Sequence, residues 1–340
     1  MIEQHPMRIF GMTVCVFLLL TQLSFGAESS LTIKLATLAP DGSSWIKTFN
    51  ALNSEVMKKT GNRVQFRIYP GGVLGDETDM LRKMKIGQIQ AAAITAGGLA
   101  VLFRDIDVLQ IPFLFQKYEE VDTVLAKMDS FFRKGLEDSG HILLGWSEAG
   151  FIYLMSTIPI SSVADLQKAK AWSWEESPIS KAIFDEAKVS AIPLSIPDVL
   201  VGLQTGLVSV VYAPPTGAIS LQWFTKVKYL TDVPLLYLAG AIVVRKETFQ
   251  QISPSDQSSV IEISQRHLNQ LKIVTRKENQ EAIQVMIKNG TKIITPSKDQ
   301  IDEFKRLSNQ AISHLGSQSF SKKVFNEVSS ILEGNRKEGK

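Results

Sequence analysis

Short strand-like segments alternate with amphipathic helices from residue 31 onward, and this rhythm constrains the fold more than any other feature. Strand-like LTIKLATLA (31–39) and VQFRIYP (64–70) flank a helix predicted from 44 to 59, and strand-like AAAIT (91–95) follows a helix predicted from 76 to 86. Such strand–helix–strand units favour parallel strands covered by helices. We therefore predict an α/β fold whose ligand would lie beyond the carboxyl ends of the strands.

The pattern restarts near residue 151, which predicts a second lobe. A helix from 119 to 137 and strand-like HILLGWSEA (141–149) precede this point. The strand-like segments that follow are FIYLMS (151–156), AKAWSW (169–174), AIPL (191–194), SVVYAP (209–214) and LYLAGAIVVRK (236–246). An apolar-periodic run from Ser255 to about Lys288 would reach roughly 50 Å as one helix, the length of two lobes.

The first 26 residues are typical of a cleavable secretory signal peptide. A single basic residue, Arg8, precedes an apolar stretch from Ile9 to Leu20, and small residues follow. About a dozen apolar residues is shorter than the roughly 18–20 of a membrane span, so a retained anchor is the weaker interpretation. We expect cleavage after Gly26 and a periplasmic protein. The only cysteine, Cys15, lies in this segment, which predicts an exported chain without disulfides.

Composition and motifs predict no catalytic, metal or nucleic-acid chemistry. The net charge of +3 is dispersed rather than gathered into a basic stripe, so nucleic acid is not a predicted partner. The histidines are scattered, without an HExxH pair. No nucleophile elbow and no glycine-rich phosphate loop is present. We predict a protein that binds without converting and that uses no cofactor or metal.

Four blocks recur in an order that resembles a known family. They are LATLAPDGSSW (35–45), YPGGVLGDE (69–77), a DLxxxK run (165–170) and LQTGLV (203–208). Together they are similar to the DctP-type solute-binding receptors of TRAP transporters. The resemblance implies a two-lobed periplasmic binding protein fold, a Venus flytrap, with a long helix bracing both lobes. It also implies delivery of a small-molecule ligand to TRAP membrane permease subunits.

Combining the pattern with the resemblance gives the expected organisation. The first lobe takes residues 31–149 plus about 236–270, and the second takes 150–235 plus about 271–333. Two or three crossovers between them would form a hinge that closes the lobes around a ligand.

Three positions depart from the family's usual ligand-binding residues. The family holds a ligand carboxylate with an arginine in a D-L-x-G-x-K-x-R run, and Trp172 stands at that arginine position here. Ile152 stands where a second arginine is common, and Ala213 stands where an asparagine is common. Losing one partner of a buried ion pair costs roughly 3–5 kcal/mol, so these departures predict a hydrophobic or amphipathic ligand.

The residues that we predict to bind the ligand surround these departures. They are Trp172, Ile152, Ala213, Tyr212, Trp174, Phe151, Phe113, Leu38, Trp45, Thr95 and Glu175. Several alternatives stay open: Trp172 as a packing residue, Lys168 or Lys170 as a cation for an acid, and Ser43 and Ser44 as caps rather than ligand contacts. Glu148 and Glu175 would suit a cationic or hydroxylated head group, and Trp223 either closes the hinge side or packs there.

The predicted function is that of an extracytoplasmic receptor that captures its ligand by hinge closure. A lipid-like ligand would further suggest a periplasmic lipoprotein carrier as a partner. The alternatives are a periplasmic sensor module, a receptor for a conventional organic acid held by cations that the sequence does not identify, and an enzyme that has recruited this scaffold.

Overall fold

The computed structural model describes Met1 and residues 30–174 and 177–338, and within them nine strands form one mixed sheet. The predicted signal peptide lies outside the described residues. The strands are β1 (Leu31–Thr37), β2 (Val64–Tyr69), β3 (Ala91–Thr95), β4 (His141–Ser156), β5 (Ala171–Trp174), β6 (Ala191–Leu194), β7 (Val210–Ala213), β8 (Tyr229–Arg245) and β9 (Lys292–Ile294). Their order is β2-β1-β3-β8-β4-β7-β5-β6, with β9 beside β8.

Helices cover both faces of this sheet. They are α1 (Ser44–Lys59), α2 (Glu77–Lys85), α3 (Ala96–Leu102), α4 (Tyr118–Asp138), α5 (Val163–Gln167), α6 (Pro178–Glu186), α7 (Val199–Thr205), α8 (Pro215–Ser220), α9 (Lys246–Phe249), α10 (Pro254–Lys288), α11 (Lys298–Leu315) and α12 (Lys322–Glu338). None of the helices in the described part of the chain combines the length and hydropathy of a bilayer-spanning segment.

The first lobe has the predicted parallel units. β1 pairs in parallel with β2 and β3, with Leu31 opposite Val64 and Leu35 opposite Ala91. Alternate β1 residues point to opposite faces, and helix α1 buries its apolar stripe on one of them. Strand carboxyl ends therefore meet along one edge, as predicted.

Two long antiparallel strands, β4 and β8, run through both lobes. The sequence predicted separate strands at 141–149 and 151–156, and that separation is wrong, because β4 is continuous through Gly150. Gly150 has a φ of 102° and follows an irregularity in the pairing with β8. A Cβ there would lie 2.4 Å from Asn279 Nδ2. The glycine therefore forms a bulge rather than a chain break, which bends both strands between the lobes.

The predicted brace is helix α10, whose 35 residues span about 52 Å. Val260, Ile263 and Leu268 pack in the first-lobe core with α1, and Met286 packs in the second-lobe core with Trp172. One helix therefore stabilises both cores.

Helix α12 differs from its predicted place in the second lobe. Val324, Val328 and Leu332 form a stripe that joins the first-lobe core around α4, and Arg336 Nε donates to Glu120 Oε1 at 2.7 Å. The spacing of these apolar residues matches the buried stripe of α4, which explains the attachment. The division into lobes stays a prediction for the rest of the chain.

Candidate ligand-binding cleft

A cavity of about 530 Å³ lies between the two lobes, beside strand ends from each. The first-lobe wall includes Thr37 and Thr95 at the ends of β1 and β3, and the loop from Leu38 onward. The second-lobe wall includes Trp174 and Ala213 at the ends of β5 and β7. Pockets of this size, between domains and mostly apolar, are typical small-molecule sites.

Trp172 is one of the residues that line the cavity, although it is only 3% exposed and also belongs to the second-lobe core. Its ring stacks on Tyr212 with centroids 4.6 Å apart and meets the edge of Trp223 at 5.4 Å. Its Nε1–H donates to the Leu194 carbonyl at 3.0 Å, so the polar end of the indole is satisfied by the β6 backbone. The ring therefore offers a ligand apolar contact rather than a hydrogen bond.

Trp174 and Asp76 join the lobes across the cleft. Trp174 Nε1 donates to Asp76 Oδ2 at 3.2 Å, and the Ile196 N–H donates to the same oxygen at 3.1 Å. In the predicted division of the chain, Asp76 falls in the first lobe and both donors fall in the second. The indole of Trp174 also lies against Gly97, where a Cβ would be 2.2 Å from the ring. The lobes are therefore in contact, as in a closed receptor.

A fully buried carboxylate, Glu77, lines the first-lobe wall. Its oxygens accept from the Thr95 N–H at 2.8 Å, the Thr95 hydroxyl at 2.8 Å and the Gly98 N–H at 3.1 Å. Burial raises the pKa of Glu77 to about 7, although these donors act in the opposite direction. A Cβ at position 98 would lie 2.6 Å from Glu77 Oε2, which explains the glycine there.

Few basic groups stand around the described part of the cleft. Among the described residues that line the cavity, Lys47 is the one basic side chain, and it is exposed at the rim. Arg276 lies nearby on α10, but its guanidinium is bound to Glu148 and Asp122 at 2.7–2.9 Å and covers the Tyr118 ring. These contacts hold it outside the cavity lining.

Carboxylates outnumber basic groups at the mouth. Glu278 and Glu281 of α10 line the cavity beside Lys47, and Ser44 Oγ donates to Glu278. The raised pKa of Glu77 leaves part of this carboxyl protonated near neutral pH, and Glu281 pairs with Lys277 at 3.6 Å. The described lining therefore does not provide the focused positive field that attracts anionic ligands.

Eight of the predicted binding residues come together in the cavity lining. They are Trp172, Ile152, Ala213, Tyr212, Trp174, Leu38, Trp45 and Thr95. Phe151 and Phe113 do not line the cavity. Phe151 packs with Tyr118 and Tyr237 on the other face of β4, and Phe113 joins a separate apolar cluster. Glu175 lies outside the described residues.

The structure also shows where the residues of the open alternatives lie. Lys170 Nζ donates to the Gly206 carbonyl at 3.0 Å, away from the cavity lining. Ser43 caps α1 by accepting from the Ile46 N–H, and it also lines the cavity. Glu148 is buried against Arg276 and the Tyr237 hydroxyl and does not line the cavity.

Several lining residues were not predicted. Glu77 ends the YPGGVLGDE block, which was the available signal, but the block does not disclose that its side chain turns into the cleft. Gln110 and Ile179 stand in segments without a sequence signal for binding. Trp223, left open above, lines the cavity and packs on Trp172.

The amino-acid sequence matches a known protein family. Residues 35–319 match DctP, described as "Bacterial extracellular solute-binding protein, family 7". The chain is similar to the 2,3-diketo-L-gulonate-binding periplasmic protein YiaO of Escherichia coli, with 26% identity over 275 residues, 80% of each protein.

Solved structures support the same fold. The sugar acid binding protein DctPAm from Advenella mimigardefordensis, in complex with galactonate, is similar with a TM-score of 0.84 and 18% identity over 90% of this chain and 99% of that one. A TRAP periplasmic solute binding protein from Ralstonia eutropha with bound (S)-2-acetolactate is similar with a TM-score of 0.83 and 20% identity. The match covers 89% of this chain and 99% of that one. The predicted two-lobed fold is confirmed. The chain belongs to the DctP family and is a small-molecule receptor of the TRAP type rather than an enzyme.

Proposed function

We propose that this receptor captures a hydrophobic or amphipathic ligand in the cleft by hinge closure and delivers it to a TRAP membrane permease. The single observation that carries the proposal is the position of Trp172. It stands where the family resemblance expects an arginine, it is among the residues that line the cavity, and its indole N–H is already bonded to the Leu194 carbonyl.

The energetics favour apolar capture. A buried carboxylate ligand without a guanidinium partner would lose roughly 3–5 kcal/mol, or two to four decades of affinity. Each aliphatic or aromatic group buried against the ligand contributes about 1.5–3 kcal/mol. Trp172, Trp174, Trp223 and Ile152 all line the cavity. Contact with three or four such groups would replace the missing ion pair.

The charges around the cleft support the same conclusion. Glu278 and the partly protonated Glu77 line the cavity with Glu281, which pairs with Lys277, while Lys47 is exposed at the rim. A neutral ligand or one with a hydroxylated or cationic end suits this lining, whereas a dianion would find no focused positive field.

Localisation and partners follow from the family and from the amino-terminal sequence. We propose export by a signal peptide over residues 1–26 and function in the periplasm. Permease subunits are the membrane partner that the family supports. A periplasmic lipoprotein carrier is a hypothesis for the case of a lipid-like ligand, motivated by the apolar lining alone.

An organic-acid receptor is the second candidate. Relatives named above bind 2,3-diketo-L-gulonate or galactonate, which favours it. In this chain, Lys47 would have to supply the cation, and it shares the rim with Glu278 and Glu281. That arrangement is a weaker anion site than a bidentate guanidinium.

The test is to identify what the protein carries. Native mass spectrometry and solvent extraction of the purified protein should recover a hydrophobic or amphipathic compound. Trp172→Arg, which restores a guanidinium to the cavity, should lose it. Lys170→Arg adds a guanidinium two residues away, outside the cavity lining, and should retain it. Recovery of only a short dicarboxylate or a sugar acid from the wild type would refute the proposal.

A further inference from the structure

Gln110 is a buried amide in the lining of the cavity. It ends the short 3-10 turn Arg104–Gln110, lines the cavity and is only 9% exposed. The segment after it runs along β8, because the Phe113 N–H donates to the Leu235 carbonyl at 2.6 Å. Leu236 and Leu238 of the same strand also line the cavity. A polar group among such neighbours needs a partner.

The amide of Gln110 has a fixed orientation. Its Nε2 donates to Asp107 Oδ1 at 2.6 Å, and Asp107 is itself buried. The amide oxygen has no partner among the described residues. It is also not sealed inside the protein, because the buried unpartnered side-chain atoms of the described chain are hydroxyls elsewhere. The free oxygen therefore faces the cavity as a neutral acceptor.

The neighbouring polar groups of the same wall are acceptors as well. The Thr95 hydroxyl donates its hydrogen bond to Glu77, which leaves the lone pairs of its oxygen for a ligand donor. The protein groups that contact the Glu77 carboxyl all donate hydrogen bonds to it. A ligand hydroxyl could therefore donate to one of the oxygens of this wall, which offers a ligand carboxylate no fixed cationic donor.

We infer that Gln110 recognises a hydroxyl, or another neutral hydrogen-bond donor, on an otherwise apolar ligand. This inference rests on the proposed apolar cleft and adds the polar chemistry of the ligand to it. A pocket that buries mostly apolar surface uses a few fixed polar groups to select and orient its ligand. An acceptor left unpaired by the wrong ligand reduces affinity, so discrimination should be at least tenfold.

The experiment compares two probes that differ in one donor. Decan-1-ol carries a hydroxyl, and 1-methoxydecane replaces its proton with a methyl group. Binding to the purified protein is followed by tryptophan fluorescence, because Trp45, Trp172, Trp174 and Trp223 line the cavity. The wild type should bind the alcohol at least tenfold tighter, about 1.4 kcal/mol.

Variants assign this preference to Gln110. Gln110→Met, similar in length but without the acceptor, should bind both probes within about twofold. Gln110→Leu gives a second apolar replacement if the first variant folds poorly. Gln88→Met removes an exposed amide outside the cavity lining and should keep the wild-type preference.

Two outcomes overturn the inference: a wild type that does not favour the alcohol, or a Gln110→Met variant that still does. D-Glucuronate is titrated in parallel to separate this failure from that of the proposed function. If both decyl probes bind equally, the proposed apolar ligand is supported and the role of Gln110 is refuted. If neither decyl probe binds and D-glucuronate does, the proposed apolar ligand and the role of Gln110 are both refuted.

Discussion

The two walls of the cleft differ in chemistry, although strand ends build both of them. The first-lobe wall carries oxygen atoms from Glu77, Thr95 and Gln110, and one ring, that of Trp45. The second-lobe wall carries rings, from Trp172, Trp174, Tyr212 and Trp223, with Ile219 beside them. On the first wall, polar atoms are held by backbone N–H groups and neighbouring side chains. On the second, the Trp172 N–H donates to the Leu194 carbonyl and the Tyr212 hydroxyl accepts from the Trp174 N–H, so these polar ends are already bonded to the protein.

The difference implies that the two walls have different roles in ligand binding. Apolar area is non-directional, so the second-lobe wall would supply affinity without fixing orientation. Fixed acceptors are directional, so the first-lobe wall would orient the ligand. Closure brings the walls together through Asp76 and Trp174, which links ligand affinity to the difference in free energy between open and closed lobes.

The largest expected effect comes from removing the central ring of the second-lobe wall. Trp172→Ala should lower the free energy of unfolding by about 3–5 kcal/mol, because it leaves a cavity beside Tyr212 and Trp223. Affinity for the apolar ligand should fall by one to two decades. Chemical denaturation and ligand titration measure the two effects.

Trp172→Phe tests whether an aromatic ring at this position is sufficient for ligand affinity. It keeps a ring against Tyr212 and loses only the bond to Leu194, so it should retain most of the affinity. Equal affinity for the apolar ligand in wild type and Trp172→Ala would contradict the assigned roles of the walls.

The next effect concerns pH and the first-lobe wall. Burial raises the pKa of Glu77 from its ordinary 4.5 to about 7, so the folded state binds a proton that the unfolded state releases over this range. The stabilisation of the folded state by protonated Glu77 is complete below pH 4.5 and is lost as the pH rises through 7. The corresponding change in unfolding free energy is about 3 kcal/mol.

Denaturation curves between pH 4.5 and 8 measure this loss. Glu77→Gln removes the titrating group and should flatten that part of the profile, even though it disturbs the bonds to Thr95 and Gly98. An unchanged slope in Glu77→Gln would show that another group carries the pH dependence. Asp107, whose pKa burial raises to about 6, is the matched comparison through Asp107→Asn.

Much of the fold was predictable because its signals are local. The apolar period of α1 gave its bounds, Ser44–Lys59, and α10 begins one residue before the predicted start. The break predicted at Gly150 was wrong because a glycine between two apolar runs has the same appearance whether it ends a strand or forms a bulge. Only the pairing with β8, which is distant in sequence, decides between them.

The site was less predictable, because tertiary contacts decide which side chains point into the cavity. Trp172 could be singled out by its register in a family run, and Ile152 by the same comparison. Phe151, next to Ile152, points to the opposite face, since successive strand residues alternate. Gln110 lies in a 3-10 turn, where no period indicates which side chains face a cavity. Its free oxygen follows from the bond to Asp107, which a sequence does not disclose.

A smaller effect tests whether the walls must touch. Gly97→Ala places a Cβ about 2.2 Å from the indole of Trp174, so the ring must leave its place on the first lobe. Affinity should fall about tenfold, or about 1.4 kcal/mol, because closure is disfavoured while the second-lobe wall stays intact. Ligand titration and the radius of gyration by small-angle X-ray scattering report the two quantities.

A double variant makes this prediction specific. Trp174→Leu in the Gly97→Ala background gives the added methyl group space and should recover part of the compact form. Gly334→Ala, in α12 with open space around the position, should leave both quantities unchanged. Full affinity in Gly97→Ala would mean that the ligand is held without this contact.

The smallest expected effect isolates one hydrogen bond between the walls. Trp174→Phe keeps a ring against Gly97 but removes the donor to Asp76, which still accepts from the Ile196 N–H. The net contribution of one such bond is about 0.5–1.5 kcal/mol, so affinity should fall about twofold to tenfold. Trp45→Phe is the matched control, because it also shrinks an indole in the cavity wall without breaking a bond between the lobes. If the two variants lose equal affinity, ring area alone explains the effect and the bond to Asp76 does not contribute to closure. A larger loss in Trp174→Phe, with an increased radius of gyration in the presence of ligand, would assign the closing contact to that bond.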